Sequence, residues 1–400
     1  MKSTASFLAT GCYLSLTVST RAWHLPDAKP AVFWSPQHQQ QPLGAISNPT
    51  GAAADDDIDI ITGSQFNGLK TFANLPYVNA LVDEEAEADG NSYDIAILGA
   101  PFDTATSGRP GARFGPSGIR TGSQRIFPGV ISVYTGEGTL NRWAKVVDVG
   151  DVGLTWFDNS VALRQLDKAH RVISSRPAAN SSVSKTPRIL TLGGDHTTTL
   201  SALRSTAERW GDVSVIHFDS HIDTWDPTVL GGGLSDYAGI NHGTFLHIAH
   251  EEGLIKNTSI HAGIRAPVMR PKDDIRNDVR CGFELITARA IDRIGAEGVV
   301  KQIKERVGSS NVYITVDIDV LDPAYAPATG TAEPGGWTSR ELLTILDGLS
   351  GLKVIGGDVV EVAPIYDNPG ETTVLAAAEV ALSLLRLMVE VPVSSKADSK

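Results

Sequence analysis

The chain has 400 residues, 42% hydrophobic and 20% charged, proportions that exclude wholesale disorder and allow one large domain or two modest ones. A formal net charge of −12 argues against a nucleic-acid or anionic-membrane surface as the main partner. With only Cys12 and Cys281, neither a disulfide framework nor a Cys-ligated zinc site can be assembled.

Lys2 precedes an apolar and small-residue run from Ala5 to Val18, and Thr20-Arg-Ala22 offers small residues where a signal peptidase cuts. Residues 1–22 therefore read as a signal peptide and the protein as secreted. A mitochondrial presequence is the alternative, because no acidic residue precedes Asp27. Cleavage after Ala22 would leave Cys281 as a single thiol, read as a small buried apolar residue. Residues 23–60 include Pro36-Gln-His-Gln-Gln-Gln-Pro42 and Gly51-Ala-Ala-Ala-Asp-Asp-Asp57. They carry too little apolar surface to offset chain ordering and read as a disordered leader. Asn180-Ser-Ser and Asn257-Thr-Ser match the glycosylation acceptor pattern and fit a secretory route.

From 61 to 392 short β-branched apolar runs alternate with amphipathic segments. Strands are expected at 93–98, 145–149, 188–192, 213–218, 259–262, 311–316 and 354–360. Helices are expected at 160–175, 198–210, 288–307, 339–350 and 372–391. This alternation implies parallel strands joined by helical crossovers: one three-layer α/β/α sandwich with a mostly parallel sheet, followed by a flexible tail at 393–400. The apolar segment 373–388 contains Glu379 and Arg386 and reads as a core helix rather than a membrane span.

Ligands of open α/β sheets bind beyond the carboxyl ends of the strands. Three expected strands run directly into metal-type side chains, at Gly193-Gly-Asp-His196, His217-Phe-Asp-Ser-His-Ile-Asp223 and Asp317-Ile-Asp319. Extended backbone alternates its faces, so Asp219, His221 and Asp223 project to one side, as do Asp317 and Asp319. Converging carboxylates repel, and a pair of divalent cations removes the repulsion. Four carboxylates with two imidazoles suit Mn²⁺. Such a pair holds a water that, deprotonated near neutral pH, attacks an electrophilic carbon or phosphorus.

Gly193-Gly-Asp-His196, Asp219-Ser-His-Ile-Asp223 and Asp317-Ile-Asp-Val-Leu-Asp-Pro323 resemble the three signatures of the ureohydrolases, the arginase and agmatinase group. The likeness covers about residues 63–391. It includes Ser107-Gly-Arg-Pro-Gly-Ala-Arg-Phe-Gly-Pro116, Asn241-His-Gly-Thr244, Gly263-Ile-Arg265 and Ala328-Thr-Gly-Thr-Ala-Glu-Pro-Gly-Gly336, and its cast is similar to the agmatinase branch. The resemblance implies an arginase-like fold, two Mn²⁺ per subunit, assembly as a homo-trimer or hexamer, and hydrolysis of a guanidino compound to urea and an amine by a metal-bridging hydroxide. It assigns one ion to His196, Asp219, Asp223 and Asp317, and the other to His221, Asp219, Asp317 and Asp319. His242 matches a mobile proton-shuttling histidine, Glu361 the carboxylate that pairs with the guanidinium, and Asp319 relays a proton with His242 to the departing amine.

Agmatine is the expected substrate, with a guanidinobutyrase or other guanidino-acid hydrolase as the alternative and a non-catalytic metal-binding pseudo-enzyme as a third reading. Ala266 stands where arginases carry an acidic residue that reads the substrate's α-amino group, which favours a substrate without the amino-acid head. An acidic substrate would call on Arg109, Arg113 or Arg265. Ser220 stands where the family usually has Ala, and Ile222 where Thr is common, which would remove a hydroxyl from behind the ions. His217, His247, His250 and His261 are assigned to structure.

Overall fold

A computed structural model describes residues 69–81 and 92–399, apart from 135 and 137. The expected signal peptide (1–22) and leader (23–60) lie outside the described residues. Among the described residues eight strands form one sheet: β1 Ile95–Gly99, β2 Val146–Asp151, β3 Arg188–Leu192, β4 Ser214–Phe218, β5 Ser259–Ile264, β6 Phe283–Thr287, β7 Asn311–Asp317 and β8 Lys353–Val360. Their spatial order is β2-β1-β3-β8-β7-β4-β5-β6, and every neighbouring pair is parallel. The helices are α1 Gly115–Gly122, α2 Asn159–Ser175, α3 Thr198–Trp210, α4 Asp236–Gly239, α5 Phe245–Glu251, α6 Pro271–Arg280, α7 Ile291–Val307, α8 Ser339–Gly348 and α9 Thr372–Glu390.

The strands read as unbroken apolar runs because both faces are covered. In β1, Ile95 and Ile97 enter one apolar layer while Ala96 and Leu98 enter another. β7 divides the same way, with Val312, Ile314 and Val316 on one face and Tyr313 on the other. The first layer is closed by Val299 and Ile303 of α7, Leu342 and Ile345 of α8, and Ala377, Leu384 and Met388 of α9. The opposite face is closed by Ala162 and Leu166 of α2, Leu200 and Leu203 of α3, and Phe245 of α5. The α/β/α sandwich and the core character of α9 agree with expectation.

Three departures have physical causes. β6 escapes a periodicity search because it is an edge strand whose Glu284, Leu285 and Thr287 are exposed, leaving no apolar run. α1 reads as a glycine-rich loop, yet its small residues let it dock on α9. A Cβ at Gly122 would stand 2.3 Å from the carbonyl oxygen of Val374. The third concerns the expected flexible tail, which is tied down. Val393 and Ser395 are buried, Thr186 Oγ1 donates to Ser395 Oγ at 3.0 Å, and the amide of Lys185 donates to Asp398 at 2.8 Å. Cys281 is buried as expected, and that burial pushes its thiol up to about 12.

The strand order locates the site. After β3 the chain skips two positions to form β4, β5 and β6, then returns so that β7 and β8 fill the gap. The carboxyl ends of β3, β8, β7 and β4 therefore stand side by side in the middle of the sheet, where the winding direction reverses and α/β sheets take their ligands.

Candidate metal centre and active site

Each of these four central strands ends in a polar side chain aimed at the same rim. Beyond β3, Gly193 and Gly194 carry the chain past the loop containing Phe102. A Cβ at Gly194 would lie 1.8 Å from the Phe102 carbonyl oxygen, so no other residue fits there. The amide of Glu361, after β8, donates to the Gly194 carbonyl at 2.8 Å, and the amide of His196 donates to Glu361 Oε1 at 2.9 Å, which stitches the two strand ends together. Asp223 and Glu361 both occupy the left-handed region, with φ of 50° and 61°. Side chains of this kind rarely adopt that backbone, and its occurrence at two rim residues marks strain held at a functional place. Strict alternation, assumed for Asp219, His221 and Asp223, thus stops before Asp223, whose carboxylate still reaches the cluster.

The six expected donors come together. His196 Nδ1 faces carboxylate oxygens of Asp219, Asp223 and Asp317 at 3.2, 3.1 and 3.3 Å. His221 Nδ1 lies 3.3 Å from Asp219 Oδ1 and 3.2 Å from Asp319 Oδ2, so Asp219 is shared between the two groups. Two ion-sized arrangements result, His196 with His217, Asp219 and Asp223, and Asp219 with His221 and Asp319. Asp317 joins the first through its approach to His196.

His196 Nδ1, His217 Nε2 and Asp219 Oδ2 are all buried and, although both nitrogens lie within 3.2 Å of that oxygen, form no aligned hydrogen bond. Burial and the neighbouring Asp319 and Asp219 push Asp317 well above the usual carboxylate range, and burial with the Asp219 charge raises Asp223 to about 6. Burial opposes charge on His196 and His221, yet the surrounding carboxylates hold both imidazoles well above the ordinary histidine value. The protein alone leaves this cluster with converging carboxylates balanced only by protons on the two imidazoles, and with buried polar atoms that have no aligned partner. Divalent cations would satisfy both, so the donor set fits metal ions.

Beside it stands a second, metal-free group. His242 Nδ1 lies 3.0 Å from Glu361 Oε1, while the amide of Ser107 donates to His242 Nε2 at 3.0 Å. A nitrogen that accepts an amide hydrogen carries no proton, so the bonded form is the neutral Nδ1–H ring. Burial works against charging His242, but Glu361, with Asp223 and Asp195 nearby, holds it up at about 9. Nε2 is thus held by Ser107, whose hydroxyl also lies 2.8 Å away, while the surrounding carboxylates favour a proton on the ring. Glu361 Oε2 is buried and unpartnered. Burial and the Glu361 charge raise Asp195, one residue before His196, to about 7.

Several contributors were not legible in the sequence. Ser220, noted only as a departure, donates from its amide and its hydroxyl to Asp319 Oδ1 at 3.1 and 2.7 Å. Ile222 packs in an apolar cluster with Trp225 and Ile264, while Thr224 supplies a hydroxyl to Asp278 at 2.6 Å. His217, assigned to structure, reaches the cluster directly. Its Nε2 lies 2.9 Å from Asp219, and behind it His217 Nδ1 meets His261 Nδ1 at 2.7 Å and His261 Nε2 meets Asp278 at 2.8 Å. His217 stands two residues before Asp219 in the strand, so its face followed from alternation; its residue type alone gave no reason to separate it from the other histidines.

The three expected cations are engaged elsewhere. Arg113 pairs with Asp103 at 2.5 Å, and Arg109 donates to the Thr329 carbonyl and covers the Tyr366 ring. Arg265 donates to main-chain oxygens of Gly263, Asp319, Val320, Leu321 and Glu333.

Residues 93–386 match the family model described as the arginase family. "Putative agmatinase 1" of Schizosaccharomyces pombe is 47% identical over 390 residues, 95% of this chain and 96% of its own length. Among solved structures, the proclavaminate amidinohydrolase of Streptomyces clavuligerus superposes with a TM-score of 0.71 at 34% identity, covering 82% of this chain and 99% of that one. A hypothetical agmatinase from Burkholderia thailandensis gives 0.66 at 36% identity, covering 82% and 92%. A parallel α/β/α sandwich with this rim of carboxylates and imidazoles is the framework of an amidinohydrolase. The chain belongs to the arginase family, in its agmatinase-like branch.

Proposed function

We propose that the protein hydrolyses agmatine to putrescine and urea with two Mn²⁺ per subunit. The observation that carries this reading is the convergence of six donor side chains, with buried polar atoms that have no aligned partner, beside the Glu361–His242 pair. His196, Asp219, Asp223 and Asp317 would hold one ion; His221, Asp219, Asp317 and Asp319 the other. Such a pair, when bound, supplies Lewis acidity and brings a water's pKa toward neutrality.

The remaining work falls to side chains. Glu361 Oε1 is occupied by His196 and His242, whereas Oε2 is bare and buried, an acceptor for guanidinium N–H groups. Asp319 is gripped through Oδ1 by Ser220, while Oδ2 faces His221 Nδ1 at 3.2 Å and accepts from Thr331 at 3.4 Å, which holds the carboxylate in place to relay a proton with His242. A proton reaching His242 is stabilised by Glu361 and Asp195 and can pass to the departing amine, without which the tetrahedral adduct cannot collapse.

The disposition of Arg109, Arg113 and Arg265 supports a substrate with no anionic end, because each is already engaged. Glu333, whose carboxylate lies 3.9 Å from His221 Nε2, adds negative charge at the rim, which suits a cationic amine. Ala266 offers nothing to an α-amino group. The run 5–18 supports secretion with cleavage after Ala22, and family membership supports a homo-trimer or hexamer. The test is urea release from agmatine, arginine, guanidinobutanoate and guanidinopropanoate, with and without added Mn²⁺. Agmatine should be turned over fastest; if the metal-loaded protein releases urea from none of them, the reading is wrong.

A further inference from the structure

We propose that Asp358, acting through Thr315, is a positioning residue that fixes which ring nitrogen of His196 carries the proton and which is left for a cation. The inference rests on the reading of His196 as a metal ligand and concerns two residues with no part in the chemistry described above.

Thr315 and Asp358 are register partners on β7 and β8, both buried. Asp358 accepts three hydroxyl hydrogen bonds, from Thr199 at 2.8 Å and Tyr313 at 2.7 Å on Oδ2 and from Thr315 at 2.5 Å on Oδ1. Thr315 Oγ1 also lies 2.7 Å from His196 Nε2. A threonine hydroxyl has one hydrogen. Having given it to Asp358, Thr315 can only accept from His196, so the ring proton sits on Nε2. Nδ1 is then the nitrogen left for a cation, which would displace any proton held there, and it is Nδ1 that faces Asp219, Asp223 and Asp317. The direction of this relay is set by its far end, a carboxylate that accepts and does not donate. The arrangement is the general one in which a carboxylate fixes the tautomer of a ligating histidine, here extended by one hydroxyl.

Three substitutions separate this role from mere packing. Thr315→Val keeps the shape and removes the hydroxyl. Thr315→Ser restores it. Asp358→Asn keeps the size but reverses the relay. Its carbonyl can serve Thr199 and Tyr313 while its NH₂ donates to Thr315, whose hydroxyl must then turn to Nε2 and drive the ring proton onto Nδ1, where the ion belongs. Mn²⁺ is titrated into metal-free full-length protein, and ¹⁵N spectra of the histidines are recorded before metal is added.

The expected result is a loss in affinity for one of the two ions of about 10–100-fold in Thr315→Val, a larger loss in Asp358→Asn, and near-wild-type binding in Thr315→Ser. The discriminating signal is Nε2, which faces Thr315: it should carry a proton in the wild type and none in Asp358→Asn, whatever proton the carboxylates hold on Nδ1. Thermal unfolding of each metal-free variant shows whether it folds, and the Thr315 pair decides the matter should Asp358→Asn not fold. Equal Mn²⁺ affinity in the wild type and Thr315→Val, or a wild-type His196 whose Nε2 carries no proton, overturns the proposal. A wild type that shows Nε2–H yet binds no Mn²⁺ supports the relay and defeats the metal reading instead.

Discussion

Asp219 and His242 sit a few residues from similar partners and should fail in different ways. Asp219 touches His196, His221 and His217 and is shared between both candidate ion positions. Asp219→Ala is therefore expected to abolish activity and metal retention together. The His242 ring bonds to Glu361 and Ser107 and to none of the candidate ligands, so His242→Ala should lower kcat by about 10²–10⁴-fold while both ions stay bound. Metal analysis of each purified variant beside its kinetics checks the split. The six donors were legible because they stand in short motifs at or just beyond strand ends, although alternation does not fix their faces: β4 ends at Phe218 and Ile318–Val320 is a 3-10 turn. Thr315, Asp358 and Ser107 were not, since a hydroxyl or a carboxylate inside a strand or loop carries no periodic signal, and only the register of β7 against β8 reveals the partner.

At the scale of elements, the turn between β3 and α3 is the least tolerant. Gly194→Ala is expected to cost about 1–3 kcal/mol, measured by urea unfolding, because the main chain of Phe102 cannot retreat from the added methyl. α2 carries a different liability. Burial alone lowers His170 to about 4, and its Nε2 has no partner. Between that value and the ordinary histidine pKa, the unfolded chain binds a proton that the folded chain refuses, so stability falls as pH drops from about 6.5 toward 4. Unfolding free energies at pH 7 and pH 5 should show about 2 kcal/mol of this loss, and His170→Gln should remove that part of the pH dependence. The buried strands were legible from their β-branched runs. β6 and α1 were not, for one lies half in solvent and the other owes its helix to close packing on α9 rather than to propensity.

For the molecule as a whole, alternation of strand and helix predicted parallel pairing but not the order in which strands lie, because periodicity describes each segment against its own core and not against its neighbours. That order unites the rim, and its stability should depend on what the rim holds. With free Mn²⁺ at about 100 times its dissociation constant, the folded state gains about 2.7 kcal/mol, and exhaustive chelation should lower the Tm correspondingly. A Tm indifferent to chelation in protein proven to contain the ions would refute a stabilising role for them.

The late insertion of β7 and β8 between β3 and β4 also sets an order of events during synthesis. A nascent chain that has emerged only as far as β6 has His196, Asp219, His221 and Asp223 in hand but leaves a two-strand hole where Asp317, Asp319 and Glu361 belong. In the proposed reading the full donor set for two cations exists only once the C-terminal quarter of the polypeptide has joined the sheet, although His196, His217, Asp219 and Asp223 of the first candidate group all emerge earlier.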